Sequence, residues 1–598
     1  MAAIVATLVF AGSPPVRAFE FASESGAVTG YLQTTLSVGA LWRTQGRSPG
    51  LIAIANGGTS RDINSDDGNL NYRKGELVEL PLRVVLDFLL AYRDFGLFAR
   101  IDYLYDVALN DKAALGEHSK DQFADYTYLR DIYVYGKFDV FGRALFVRAG
   151  NQAVNWGASN FIQNGINTLS PVDVTKLRTP DAEIKDALSP TPMLRVLQEI
   201  TDRSSIEAIW MPRWNAKFPD THVRRDPHGA FFSTRDFGVT NGTNAYTGFG
   251  RQDDQPGAAG FFTTTTPDGE RAIREEFGFQ YAVALHYLIP GQRHTEVSLY
   301  HLDYHARTEI VSGIRGNVQT AATASDNRPP GAGSLFVDYP RHIKLWGVSA
   351  STGLPGGITV QGEYSFRSNQ PLQLPLAEVL LAVGGSANQL TGTSPGAASQ
   401  VPIGTEISGF RRVGMHQLVA SATKTFGPTL GAAQAVAVAE VGYTHLALPA
   451  DVKFAAPGCH LPQPGSDASS AYNSTSTNCF ATSNSWGYRL SGRIDYDKVI
   501  DGGTVTPFAA FAHDVSGVGP TFNEGVKALT LGLTVSYLKR WQAQVAYTSY
   551  FGGRTYSGTD LADASSGPLP TGQSAGYSSG SNPLRDRDFI SASVSYAF

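Results

Sequence analysis

The chain has 598 residues and a formal net charge of −5; 17% of its residues are charged, 11% are aromatic and 63 are glycine. This charged fraction is lower than in ordinary soluble domains, where it is about 25%. The mean hydropathy is −0.14 and no long apolar stretch is present, which excludes a helical membrane protein. Without a large basic tract, the chain also lacks the electrostatic signature of a nucleic-acid-binding protein.

Residues 1–18 predict a secretory signal. Residues 2–12 form an apolar core, and Val16, Arg17 and Ala18 resemble a cleavage site before Phe19. The positively charged start of such a signal is missing, so we expect Met1 to lie inside a longer signal. Residues 19–598 are then expected to form a single exported domain.

Amphipathic strands begin at residues 28–42 and recur along the chain. Successive side chains of a strand point to opposite faces, so apolar residues at every second position predict one apolar face. The hairpin of residues 82–92 and 97–105 illustrates the pattern, because both of its apolar faces end in tyrosine, as an aromatic girdle at a membrane interface would. Further tight turns are predicted at residues 139–142, 201–203, 290–291, 354–357, 427–428, 501–503 and 538–540.

The strands number about 18, and short and long connections alternate between them. The long polar segments are residues 43–77, 157–190, 215–273, 308–340, 370–410, 446–485 and 553–586. Short periplasmic turns and long external loops are typical of bacterial outer-membrane barrels. The sequence therefore predicts an all-β fold, a transmembrane antiparallel β-barrel in the bacterial outer membrane with both ends in the periplasm.

The last strand, residues 589–598, has its apolar face at Ile590, Val594 and every second residue up to the carboxy terminus. We expect this face in lipid, the intervening serines in the lumen, and the strand paired with residues 28–42. Tyr596 and Phe598 resemble the signal that the barrel-assembly machinery reads.

Cys459 and Cys479 lie in a segment rich in Ser, Thr, Asn, Pro and Gly. In an exported protein this pair predicts a disulfide; the alternative is two unrelated free thiols.

One segment with a distinctive sequence is Val-Arg-Ala-Gly-Asn-Gln-Ala-Val-Asn-Trp-Gly at 147–157, and others are residues 161–167, 170–174, 66–72, 364–367, 371–372 and 513–517. Together these segments resemble a family of about 600-residue Gram-negative outer-membrane barrels that is catalogued as domain of unknown function 1302. The resemblance implies an outer-membrane barrel and assigns no chemistry. Members are thought to pass or export hydrophobic compounds.

Residues 157–190 are expected to form a constriction or plug of the barrel. Ser170-Pro171 and Thr179-Pro180 resemble helix starts, so short helices are expected at 171–177 and 180–188. With its apolar residues, this loop is expected to fold into the lumen; the alternative is an external lid. The candidate residues of the constriction and its mouth are Arg148, Gln152, Asn155, Trp156, Asn160 and Asp173.

Charged residues of both signs fall on the predicted lumenal faces. They include Arg83, Asp87, Arg100, Asp102, Asp131, Arg148, Glu363, Arg367, Arg489, Arg493 and Asp495. Two interpretations stay open: structural cross-strand ion pairs, or a track that binds a polar or anionic solute.

Three other features have weaker implications. The apolar run 374–383 predicts either an interaction surface for a hydrophobic solute or lipid, or packing among loops. Residues 62–68 deviate from a calcium loop in the positions of glycine and of the last acid. Ser298 and His301 are the residues of a hydrolase alternative, without an identifiable acid or oxyanion donor.

The leading hypothesis is a channel or transporter for small hydrophobic or amphipathic molecules, not an enzyme, with no cofactor and no metal. The alternatives are a porin for polar or anionic solutes and, further behind, a structural or adhesive barrel or an outer-membrane hydrolase. Expected partners are the lipid bilayer, lipopolysaccharide, the assembly machinery, the solute and a periplasmic or inner-membrane transport protein.

Overall fold

The structure is a computed structural model. It describes residues 19–52, 56–58, 66–115, 120, 123–182, 184–212, 230–233, 244–247, 260–264, 279–291, 295–316, 333–384, 390, 401–456, 480–497, 499–553 and 582–598. The predicted signal, Cys459 and Cys479 lie outside these residues, so the signal and the disulfide stay predictions.

The described part of the chain is almost entirely β-structure. Its strands are β1 (Phe19–Ala22), β2 (Val28–Arg43), β3 (Leu77–Glu79), β4 (Pro81–Tyr92), β5 (Phe95–Asp106), β6 (Asp125–Val140), β7 (Arg143–Gln152), β8 (Thr191–Thr201), β9 (Ser204–Met211), β10 (Asn244–Thr247), β11 (Gly260–Thr264), β12 (Gln280–Leu288), β13 (Glu296–Tyr304), β14 (Ile310–Ile314), β15 (Ser334–Asp338), β16 (Ile343–Leu354), β17 (Ile358–Gln373), β18 (Glu406–Ile407), β19 (Phe410–Phe426), β20 (Gln434–Leu446), β21 (Asn484–Asp497), β22 (Gly503–Ser516), β23 (Val526–Tyr537), β24 (Trp541–Gly552) and β25 (Phe589–Ala597). Short helices cover Asp67–Leu70, Val107–Asn110, Ile184–Ala187 and Leu376–Gly384. No helix in the described ranges is long and apolar enough to cross a membrane.

Eighteen strands form a closed antiparallel barrel, which confirms the predicted fold and strand number. Each barrel strand pairs with the next barrel strand along the chain, and β25 closes the ring on β2 from Thr35↔Ala597 to Arg43↔Phe589. The remaining two strands of this sheet, β1 and β3, add short pairings to β2. Closure satisfies every strand edge, which a sheet in lipid requires.

The two faces of the barrel wall differ as the alternating sequence predicts. On β25, Val594 is 43% exposed while the adjacent Ser593 is only 7% exposed. Exposed aromatic residues mark both ends of the outer surface, with Tyr537 and Trp541 beside a periplasmic turn and Trp210 and Trp346 near the other end. This apolar band with aromatic ends is the surface that a barrel presents to lipid.

The long connections build a second, five-stranded sheet of β10, β11, β15, β14 and β18. The helix Leu376–Gly384 packs on it, and Val379, Ala382 and Val383 are 0% exposed. The described side chains of the apolar run 374–383 therefore pack among loops, which favours this interpretation over an exposed interaction surface.

Candidate functional site

The residues between β7 and β8, 153–190, form the segment that we call the internal loop. This segment contacts inward-facing side chains of the barrel wall at both of its ends.

Two buried carboxylates hold one part of the internal loop against β17 and β20. Glu363, 3% exposed, accepts hydrogen bonds from the backbone N–H groups of Ala158 at 2.6 Å, Ser159 at 3.2 Å and Ile166 at 3.0 Å. Glu440 accepts three more from residues 160–162, at 2.6 to 2.9 Å. A buried charge needs such partners, and backbone donors satisfy both carboxylates without a cation.

Two glycines of the loop lie so close to Glu363 that a side chain would not fit there. A Cβ atom at Gly157 or Gly165 would overlap the Glu363 carboxylate, and Gly157 also has a left-handed φ of +89°. From the same strand, Arg367 donates to the carbonyls of Asn164 at 2.8 Å and Gly165 at 2.7 Å. Glu363 and Arg367, both predicted as lumenal, therefore bind the loop backbone.

A five-residue ionic network holds the other part of the internal loop against β4, β5 and β6. Asp102, 0% exposed, pairs with Arg83 at 2.8 Å and with Lys176 of the loop at 2.9 Å. Asp186, also of the loop, pairs with Arg83 at 2.9 Å and Arg130 at 2.8 Å. Burial lowers the pKa of Lys176, and the Asp102 carboxylate opposes this shift.

These two anchoring regions lie on opposite sides of the barrel. Nine strand pairings separate β5 from β19, which lies between β17 and β20, in either direction around the ring. The internal loop therefore crosses the lumen from wall to wall.

Next to the residues that Glu363 holds, the internal loop packs on an apolar part of the inner wall. Trp156 and Ile166 belong to a buried cluster with residues of β8, β9, β12, β13 and β16. The Trp156 indole lies 5.6 Å from the Tyr300 ring and donates to Glu207 at 3.2 Å. Glu207 also pairs with Arg195, so this aromatic contact has an ionic support from the wall.

The inner face of β23, β24 and β25 has a different character, with hydroxyl and amide groups rather than charges. Its polar residues are Thr530, Thr534, Ser536, Gln542, Gln544, Thr548, Ser591, Ser593 and Ser595. At the extracellular end, this wall carries an apolar cluster in which Phe231 and Phe232 pack with Tyr550 and Phe589.

The remaining predicted site residues are distributed over several places. Gln152 is buried and donates to the Met193 carbonyl at 3.2 Å, Asn155 is exposed, and the Asn160 side chain donates to Ser421 at 3.1 Å. The Arg148 guanidinium lies over the Tyr133 ring at 4.4 Å.

Three more predicted residues form ion pairs with neighbouring acids on the lumenal face. Arg100 pairs with Asp87 at 2.6 Å, Arg489 with Asp514 at 2.6 Å and Arg493 with Asp495 at 3.4 Å.

The prediction of two helices in this segment is wrong for 171–177, and among the described residues of 180–188 only Ile184–Ala187 are helical. Asp173 accepts from the Thr175 and Lys176 N–H groups, which is a local turn. Its own N–H donates to the Ala187 carbonyl at 2.7 Å, and Val172 forms an antiparallel bridge with Leu188, so the backbone here is extended rather than helical.

Sequence alternation missed Arg130 because β6 contains a bulge. Asp131 pairs with Arg100, but Leu129 pairs with Ile101, so Arg130 is an extra residue. A bulge shifts the phase of a strand, and here it places Arg130 beside Asp131 on the lumenal side, between the lipid-facing Leu129 and Ile132. Glu440 and Lys176 were also missed. Each is a charged residue in a segment that the sequence assigns correctly, Glu440 to a barrel strand and Lys176 to the internal loop, so its charge was the available signal.

The hydrolase alternative finds no support at its predicted pair. His301 stacks on Trp346 at 3.9 Å on the outer face, whereas Ser298 is buried on the inner face. The Ser298 hydroxyl lies 2.8 Å from His286 instead. Within the described ranges, no group of three His, Cys, Asp or Glu side chains has the arrangement of a metal site.

Several solved structures are similar to this chain at low identity. OpdK of Pseudomonas aeruginosa, solved with vanillate, is 10% identical, with 95% of this chain and 98% of that chain covered and a TM-score of 0.36. OccAB1 of Acinetobacter baumannii is 10% identical, with 97% and 98% covered and a TM-score of 0.38. The outer-membrane channel DcaP of the same species is 10% identical, with 97% and 99% covered and a TM-score of 0.33. These similarities are too weak to support an argument about function.

No curated protein matches the chain. The family described as "Protein of unknown function (DUF1302)" matches residues 1–598, the whole chain, and with its closed, lipid-facing barrel this protein is an outer-membrane β-barrel that belongs to the DUF1302 family.

Proposed function

We propose that the protein is an outer-membrane channel for small hydrophobic or amphipathic molecules, and that the internal loop forms its constriction. The observation that carries this proposal is the path of the loop, which crosses the lumen between anchors on opposite walls. A loop held in this way narrows the lumen, and the proposed path of the solute runs along the part of the wall that the loop does not bind.

The charges of the lumen support an amphipathic rather than an ionic solute. Asp102, Glu363 and Arg367 are nearly fully buried, and their partners lie in the internal loop or the wall. A selectivity filter for ions needs charged groups that the passing solute can reach. The inner face of β23–β25 instead offers neutral hydroxyl and amide groups, and its partly exposed members are Ser536, Gln542, Gln544, Ser591 and Ser595.

Flux measurements in liposomes test this function. Purified protein is reconstituted, and the uptake of a hydrophobic dye is compared with swelling in a neutral sugar and in a charged sugar acid. Dye flux above that of empty liposomes is the expected result. Sugar flux without dye flux would reverse the assignment, and no flux of any solute would favour a structural barrel.

A second candidate function is a porin for anionic solutes, and Arg148 is the residue that favours it. Its guanidinium faces the lumen on β7 and contacts the Tyr133 ring. In a salt gradient, an anion-selective reversal potential that Arg148→Gln abolishes would support this function. Arg143→Gln is the matched control, because Arg143 lies on the same strand at the periplasmic turn and pairs with Asp202.

A further inference from the structure

Two cations lie side by side on the outer surface of the barrel at its extracellular end. Lys344 of β16 and Arg412 of β19 are exposed, while their neighbours Ile343 and Val413 are buried against the interior. Both cations therefore belong to the outward-facing series of their strands.

A bulge in β17 connects the two cations. Asn369 of this bulge accepts from the Lys344 N–H at 2.9 Å, and its carbonyl accepts from the Arg412 guanidinium at 3.1 Å. Arg412 donates in addition to the Arg341 carbonyl at 2.6 Å. These acceptors are neutral, so they orient the guanidinium and leave its positive charge in place. The carboxylate whose charge acts on Arg412 is that of Asp338, which accepts from the Tyr339 N–H at 2.9 Å, and the nearby Asp303 is paired with His342 at 3.0 Å.

Aromatic rings lie directly below the cations on the same strands. Trp346, 56% exposed, stacks on His301 at 3.9 Å, and Phe366 lies 4.6 Å from His416. Flat rings beneath cations form a platform for a sugar or headgroup at the membrane interface.

Further along the same strands, the outer surface contains an apolar groove of about 680 Å³. Its floor consists of the register partners Ala350, Gly362 and Ala420, and larger residues such as Leu490 flank it. Ala350 is six residues from Lys344 on β16, a distance of about 20 Å along the strand. The cations, the rings and the groove thus follow one line from the extracellular edge into the lipid-facing band.

We propose that this surface binds one phosphorylated, acylated glycolipid of the outer leaflet, of the lipopolysaccharide type. The phosphate contacts Lys344 and Arg412, the sugar rings lie on the aromatic platform, and an acyl chain occupies the groove. The charges are complementary, and the groove continues the surface that already faces lipid. This site lies outside the lumen, so it does not depend on the proposed channel function.

Native mass spectrometry of the full chain in detergent tests the site with three defined lipids: lipid A, the same lipid without its phosphates, and phosphatidylglycerol. We expect one tightly retained lipid A. Each removed cation weakens its binding about fivefold, so that Lys344→Gln with Arg412→Gln loses about 30-fold. The double variant Ala350→Leu with Ala420→Leu fills the groove. It is expected to weaken the binding of lipid A, while the preference for lipid A over the same lipid without its phosphates remains.

Lys424→Gln is the matched control, because Lys424 lies on β19 at the periplasmic end, where its amine contacts the Gly356 carbonyl. Heat-modifiable gel migration confirms that each variant is folded. The proposal is overturned if the double variant retains lipid A like the wild type, or if Lys424→Gln weakens binding equally. Equal retention of phosphatidylglycerol or of the dephosphorylated lipid would also contradict it.

Discussion

Replacing Glu363 with glutamine is expected to release the backbone N–H groups of Ala158, Ser159 and Ile166 from β17. The carboxylate accepts three backbone hydrogen bonds through two oxygens, at 2.6, 3.2 and 3.0 Å. A glutamine amide has a single acceptor oxygen, and its NH₂ group would face backbone donors. A lost hydrogen bond to a buried charged group costs about 1.5–3 kcal/mol, so we expect the docking of this part of the loop to weaken by about 2–4 kcal/mol.

Hydrogen exchange of the Ile166 amide reports this release directly. A loss of about 2–4 kcal/mol corresponds to an exchange rate about 30- to 1,000-fold higher, if exchange requires undocking of the loop. Glu440 still holds residues 160–162, so the barrel itself should remain folded. Because a released loop obstructs the lumen less, single-channel conductance should rise. Glu199→Gln is the matched control, since Glu199 lies on β8 near a periplasmic turn and away from the loop.

The two measurements separate the anchor from the function. Unchanged protection of Ile166 in Glu363→Gln would refute the anchoring role of this carboxylate. Lost protection with unchanged conductance would leave the anchor intact and refute the constriction.

Three further perturbations address other parts of the molecule. Asp102→Asn leaves Lys176 and Arg83 without their shared buried carboxylate, so we expect the free energy of unfolding in urea to fall by about 3–5 kcal/mol. Asp87→Asn, at the more exposed pair with Arg100, should lower it little. Burial, and then Arg307, lower the pKa of His305 just beyond β13 to about 3, below its ordinary 6.5. The stabilisation of the folded protein by neutral His305 is therefore complete above pH 6.5, and about 2–3 kcal/mol of it is lost by pH 4.5. If the urea midpoint of His305→Gln has the same pH dependence as that of the wild type, this expectation is contradicted. Deleting Phe598 removes two backbone hydrogen bonds to Thr34, at 2.8 and 2.9 Å, and the predicted assembly signal, so the heat-modifiable fraction in the outer membrane should fall severalfold.

The barrel was predictable from sequence because its signal is local. Alternation on residues 28–42 and 589–598 specified both faces of the closing strands, and the register Val38↔Val594 agrees with it. The count of 18 followed because nearly every periplasmic turn is short and contains Gly, Pro or Asp.

The partners of the lumenal charges were not predictable, because they depend on contacts between distant residues. Asp102 meets Lys176 across 74 residues, and Glu363 meets Ala158 across 205. Alternation assigns a side chain to the lumen, but it does not say whether a solute or the internal loop occupies the space beside it. For Asp102, Glu363 and Arg367 the loop occupies that space, so the interpretation as structural partners is favoured over a solute track.

Glycines inside strands are the one sequence signal that marks where the internal loop docks. Gly347 on β16 and Gly442 on β20 lie on strands with no bend at those positions in their registers. A Cβ at Gly347 would come within 2.8 Å of Ile166, and one at Gly442 within 2.8 Å of Ile162. A glycine in a regular strand often indicates the close approach of another segment. The two isoleucines of the loop therefore fit against gaps that the wall sequence already contains, which is why a loop without regular helices holds a defined path through the lumen.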